Sequence, residues 1–153
     1  MKILTQKAIE NLWFTNEYSL NAFDEIKIIG HISEVLCDYY LHMSDYKVVD
    51  ISEAEFIEED KEVRLDYITP DGCPMYGTKT RIQHFDYLEM FVRDIMTEKI
   101  ILPPTLKRRH MNRIKENSSI KEVVVTDDCQ LFTMKDGDVY NKKGTTLVFS
   151  NKK

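Results

Sequence analysis

The stretch Glu62-Val63-Arg64-Leu65-Asp66-Tyr67-Ile68-Thr69, followed by Pro70-Asp71-Gly72-Cys73-Pro74 and a return over 78–84, decides the fold expected of this chain. Val63, Leu65 and Tyr67 alternate with Glu62, Arg64 and Asp66, the two-residue period of a half-buried strand. Proline fixes φ and glycine permits positive φ, so 70–74 reads as a tight reversal. Residues 78–84 return with Lys79, Arg81 and Gln83 on one face. A hairpin symmetric about that turn sets Asp66 opposite Arg81. Such a cross-strand pair contributes roughly 0.2–1 kcal/mol. Residues 46–51 read as a strand ahead of the hairpin, which gives a three-stranded antiparallel meander.

Upstream, the period is that of helices. Ala8, Ile9, Leu12 and Trp13 predict a short helix over 5–14. Ala22, Ile26, Ile29, Ile32/Ser33, Leu36, Tyr40 and Met43 recur in steps of three and four, so residues 21–43 read as an amphipathic helix of about 22 residues. Asn21, with Asp24 and Glu25 behind it, supplies a cap and acids in the first turn. Downstream, Asp86 precedes a stripe of Leu88, Phe91, Val92, Ile95 and Met96. Pro103-Pro104 ends the Ile100-Ile101-Leu102 run. Residues 105–116 read as a short helix burying Leu106, Met111 and Ile114. Asn117-Ser118-Ser119 reads as a linker and a sub-boundary. Residues 120–126, 130–134 and 145–149 then form a C-terminal β-meander, turning at Asp127-Asp128 and Asp136-Gly137-Asp138. The fold class expected is α+β: N-terminal helices, an antiparallel three-stranded meander, a further helix and the C-terminal meander, in one domain over 1–153. No internal repeat stands out.

Composition is that of a folded globular chain. Hydrophobic residues make up 42% and charged residues 31% of 153 residues, and the net charge is −5. An acidic balance argues against a general nucleic-acid coat. Cys37, Cys73 and Cys129 are odd in number and widely spaced, which suggests reduced thiols and a cytoplasmic location, whether in a cell or in a host infected by a phage. No apolar run approaches the roughly 20 residues that span a bilayer.

Catalytic signatures are missing from the sequence. No G-x-G-x-x-G, G-x-x-x-x-G-K-[ST], G-x-S-x-G or H-E-x-x-H occurs. His31, Cys37 and His42 sit about 240° and 140° apart around a helix and cannot converge on one metal. Asp38 and His42, one turn apart, read as an ordinary i,i+4 pair. Cys73 reads as a loop thiol without a base. No catalytic residue, metal site or cofactor is expected.

Two charge runs remain. Glu53, Glu55, Glu58, Glu59 and Asp60 form an acidic run, and Lys107, Arg108, Arg109, Arg113 and Lys115 a basic one. Both are expected to bind partners. One molecule carrying both patches is suited to head-to-tail packing between protein subunits, as homo- or hetero-oligomers. The element order over about residues 20–150 resembles that of small phage tail-terminator and connector proteins, which implies a non-enzymatic ring or assembly subunit. It is also similar to acyl-CoA-dependent N-acetyltransferases. At the place of their glycine-containing pyrophosphate loop this chain has Arg81-Ile82-Gln83-His84-Phe85-Asp86, without glycine. A third reading is an immunity or antitoxin protein whose acidic segment covers a basic toxin surface. The expectation taken forward is an assembly subunit acting through protein–protein contacts.

Overall fold

The computed structural model describes residues 2–11, 25–33 and 45–151. The helix expected over 21–43 is replaced, where described, by a strand. Glu25-Ile26-Lys27-Ile28-Ile29-Gly30-His31-Ile32 is β2, with Ile26, Ile28 and Ile32 fully buried. Its four β-branched isoleucines favour a pleated strand. Gly30, at φ 81°, takes a backbone conformation that a helix does not contain. The remainder of that expected helix, with Cys37, Asp38 and His42, and residues 12–14 of the first one, lie outside the described residues.

The elements run β1 (Lys2–Leu4), α1 (Gln6–Asn11), β2 (Glu25–Ile32), β3 (Asp45–Phe56), β4 (Glu58–Ile68), β5 (Pro74–Asp86), α2 (Tyr87–Asp94), β6 (Met96–Leu102), α3 (Arg108–Glu116), β7 (Glu122–Val125), β8 (Phe132–Lys135), β9 (Asp138–Asn141) and β10 (Leu147–Phe149). β1, β2, β3, β6 and β7 make one five-stranded sheet in that order, and every neighbouring pair is parallel. The α+β arrangement expected from the sequence is therefore not formed. The strand at 46–51 belongs to β3 and pairs in parallel with β2 and β6, not with the hairpin. Residues 120–126 contribute β7 to the same sheet. Only β8, β9 and β10 form the C-terminal antiparallel meander.

The sheet register uncovers a repeat that the residues alone conceal. Ile26 pairs across to Val49 and Ile100 to Val123, each a step of 23 along the sequence, and all four are completely buried. Lys2 to Ile26 is a step of 24. The helices keep the same spacing: Leu88 and Met111, and Phe91 and Ile114, are all buried and again 23 apart. Each strand lies beside its predecessor, so the chain advances in one direction like a short solenoid, with α1, α2 and α3 the described helices between its strands. Burying each isoleucine of the row contributes about 1.5–3 kcal/mol.

The step from Val49 to Ile100 is the exception, because β4 and β5 are inserted there. They pair only with one another, as a separate two-stranded sheet. Their register sets Val63, not Asp66, opposite Arg81. The register shifts between Leu65 and Tyr67, where three residues of β5 lie against one of β4, a bulge at which Gly77 adopts φ 64°. At about 3.3 Å per residue, the eleven residues of β4 make an arm about 35 Å long.

The outer edge of β7 is closed by one side chain. Val123 N–H donates to Asn151 Oδ1 at 2.8 Å, and Asn151 Nδ2 donates to the carbonyls of Val123 (2.8 Å) and Gly137 (2.9 Å). An amide thus imitates a neighbouring strand and fastens the meander to the sheet. Asn117 and Ser119, expected in a linker, are tied down instead. Asn117 Nδ2 donates to the carbonyls of Val92 and Ile95, and Ser119 Oγ receives the Thr97 N–H.

Candidate functional site

The arm leaves and re-enters the solenoid between Ile57 and Asp86, and charged residues crowd that junction. Asp86 is only 7% exposed and caps α2, its carboxylate accepting the Glu89 N–H at 3.1 Å. It also accepts from Arg109 Nε and from His110 Nε2, each at 2.7 Å. Burial alone would raise the Asp86 carboxyl, but these three donors together hold it below the ordinary carboxylate range. His110 is buried, and its Nδ1 accepts the Lys107 N–H at 2.9 Å. Its proton is therefore on Nε2 and the ring is neutral, in keeping with burial lowering its pKa against the pull of Asp86.

Above this pair sits Glu58. It accepts from Lys107 Nζ at 2.9 Å, His84 Nε2 at 3.0 Å and Arg109 Nη2. Lys107, followed by His84, holds the Glu58 carboxyl below its ordinary value. His84 faces carboxylates from both ring nitrogens, Glu58 through Nε2 and Asp60 through Nδ1 at 2.7 Å. Glu58 first, then Asp60, raise its pKa and favour imidazolium. Glu59 accepts the Tyr87 hydroxyl at 2.5 Å and pairs with Lys61 at 3.0 Å. Glu89 accepts from Arg113 at 2.9 Å.

The structure thus joins the acidic and basic runs inside one molecule at a single acid: Glu58 meets Lys107 and Arg109. Arg113 bonds Glu89 and Glu116, and Glu53 pairs with Lys27 across β2 and β3. Glu55, Arg108 and Lys115 form no ion pair among the described residues. His84, Asp86, His110 and Glu89, which the sequence did not place in a site, complete the junction. A signal for His110 exists in the sequence: it stands 23 after Tyr87, the step of the coil.

Chemically, this junction is a clamp. A general base needs a lone pair facing substrate, yet both nitrogens of His110 and of His84 have protein partners. Among the described residues, no group of three or more His, Cys, Asp or Glu side chains is placed to hold a metal ion. Cys73 is exposed at the tip of the arm and Cys129 is buried. No described helix is long and apolar enough to cross a membrane.

What the clamp holds is the arm. Away from its base, no described element packs extensively along it. Ile68 is 73%, Tyr76 76% and Ile82 69% exposed. No known protein family, curated protein or solved structure matches the chain.

Proposed function

We propose that this chain is a non-enzymatic assembly subunit, cytoplasmic, that contacts further copies of itself through the β4–β5 arm. The carrying observation is the arm: a ribbon fixed at its base by Glu58, Asp86, Lys107 and Arg109, with Ile68 and Tyr76 in solvent near its turn. A two-stranded hairpin is marginal in water by itself, and large exposed apolar side chains grouped at one end are suited to burial against a protein surface. The internal pairing of Glu58 with Lys107 and Arg109 favours this apolar contact over docking of one charge run on the other. It also leaves the acidic segment 50–60 a poor cover for a basic toxin. The element order behind the tail-terminator and acetyltransferase resemblances differs from that of the fold, so neither enters the proposal.

Light scattering over a concentration series tests it. The mass of the full chain is expected to rise above 18.1 kDa with concentration, and that of the Ile68→Asp/Tyr76→Asp variant to stay monomeric. A wild-type monomer throughout, or a variant that associates equally well, refutes the proposal.

A further inference from the structure

A second surface lies between α3 and the C-terminal meander, away from the arm. It is a groove of about 330 Å³ whose walls carry Arg108, Asn112 and Lys115 on one side and Leu131, Phe132 and Val148 on the other. Of the five cations on and beside α3, Lys107, Arg109 and Arg113 have carboxylate partners. Arg108 and Lys115 make no ion pair with any described residue, and both line this groove. Two turns apart, they stand on one face of the helix, separated by about 10.5 Å along its axis. The other polar residues of the lining, Asn112, Asn141 and Thr146, carry no charge. Leu131 is 37% exposed, and Met111 contributes to the apolar floor.

From this we infer that the groove binds an extended acidic segment of a partner protein, with carboxylates toward Arg108 and Lys115 and apolar side chains toward Leu131 and Val148. The spacing supports it. Same-face side chains of an extended chain recur about every 7 Å, so two carboxylates two or four positions apart bracket that separation within the reach of arginine and lysine. The charge supports it as well: in a chain of net charge −5, this groove is a local positive face, complementary to carboxylates. The inference does not depend on the arm.

The test is fluorescence anisotropy with the full chain and a dye-labelled peptide alternating glutamate and leucine. A lysine–leucine peptide, a glutamate–serine peptide and a thymidine oligonucleotide of equal charge serve as comparators. The glutamate–leucine peptide is expected to bind about tenfold or more tightly than each of them. Arg108→Glu with Lys115→Glu is expected to abolish that preference. Arg93→Glu, a charge change on α2 outside the groove, is expected to leave it intact. Arg108→Gln with Lys115→Gln removes the charge without reversing it, and serves if the reversal unfolds the chain. Equal affinity for the acidic and basic peptides, equal loss in Arg93→Glu, or an oligonucleotide binding as tightly as the peptide overturns the inference.

Discussion

If the strand-plus-helix coil is the building unit and the arm an insertion into it, the arm is removable. Deleting 58–85 joins Ile57 to Asp86 and reduces the Val49-to-Ile100 step from 51 to 23, the step of the other coils. The ends lie close together: Glu58 and Asp86 are register partners, and Tyr87 N–H already donates to the Ile57 carbonyl at 3.3 Å. In the shortened chain that bond closes a three-residue γ-turn. The losses follow from the contacts at the junction. The partly buried Tyr87–Glu59 hydrogen bond contributes about 1 kcal/mol. The stacked Phe85–Tyr87 pair, with centroids 6.0 Å apart, contributes about 0.5–1.5 kcal/mol. The half-exposed pairs of Glu58 with Lys107 and Arg109 contribute about 0–1 kcal/mol each. The total, about 1.5–4.5 kcal/mol, is less than the roughly 5–15 kcal/mol typical of a domain. Urea unfolding followed by circular dichroism is therefore expected to show one cooperative transition, weakened by about that amount. A chain without a cooperative transition would refute the insertion and the coil together.

Three other perturbations probe the clamp and the sheet edge. Asp86→Ala removes the α2 cap and strands the buried His110 N–H, so it is expected to cost about 3–5 kcal/mol in urea unfolding; Asp86→Asn, which keeps a cap, should cost clearly less. With its pKa depressed in the folded state, Asp86 stabilises above the ordinary aspartate value of about 4 and loses that contribution as pH falls through the folded value. His110, also depressed, adds a loss of stability as pH falls below about 6.5, where the unfolded chain takes up the proton first; a pH series on wild type and Asp86→Asn reads both. Asn151→Ala leaves the Val123 N–H and carbonyl unpaired on the β7 edge and is expected to cost about 1–3 kcal/mol, with faster hydrogen exchange at Val123. His84, held between Glu58 and Asp60, is expected to titrate above about 6.5 by NMR and to fall toward it in Asp60→Asn; its contribution is complete below the unfolded value and disappears as pH rises through the raised one.

Legibility in the sequence followed how local each signal is. The hairpin turn at Gly72, the Asp86 cap and the buried stripe of Leu106, Met111 and Ile114 depend on neighbours in the chain, and each is found where its residues predict. The β2 segment misled because Ile26 and Ile29 satisfy a helical step while Ile26, Ile28 and Ile32 satisfy a strand's. Parallel pairing joins positions 23, 24 or 51 apart, and no local period announces it. The arm insertion also breaks the one regularity that would have exposed the repeat. The hairpin register failed at the turn itself, where Ile68 pairs with Pro74 and Tyr67 with Met75, so that beyond the bulge Val63 rather than Asp66 meets Arg81. Both charge runs were visible as composition, but their meeting through Glu58, Lys107 and Arg109 depends on the fold. His110 and Asp86, far apart in sequence, become a pair only when α2 and α3 stack.

The distal arm is proposed as a contact surface for other copies of the chain. Hydrogen exchange of the full chain at low and high protein concentration measures this directly. Amides over 62–82 are expected to slow as concentration rises, while those of the buried Ile26–Val49–Ile100–Val123 row stay unchanged. Exchange over 62–82 that is independent of concentration would contradict it.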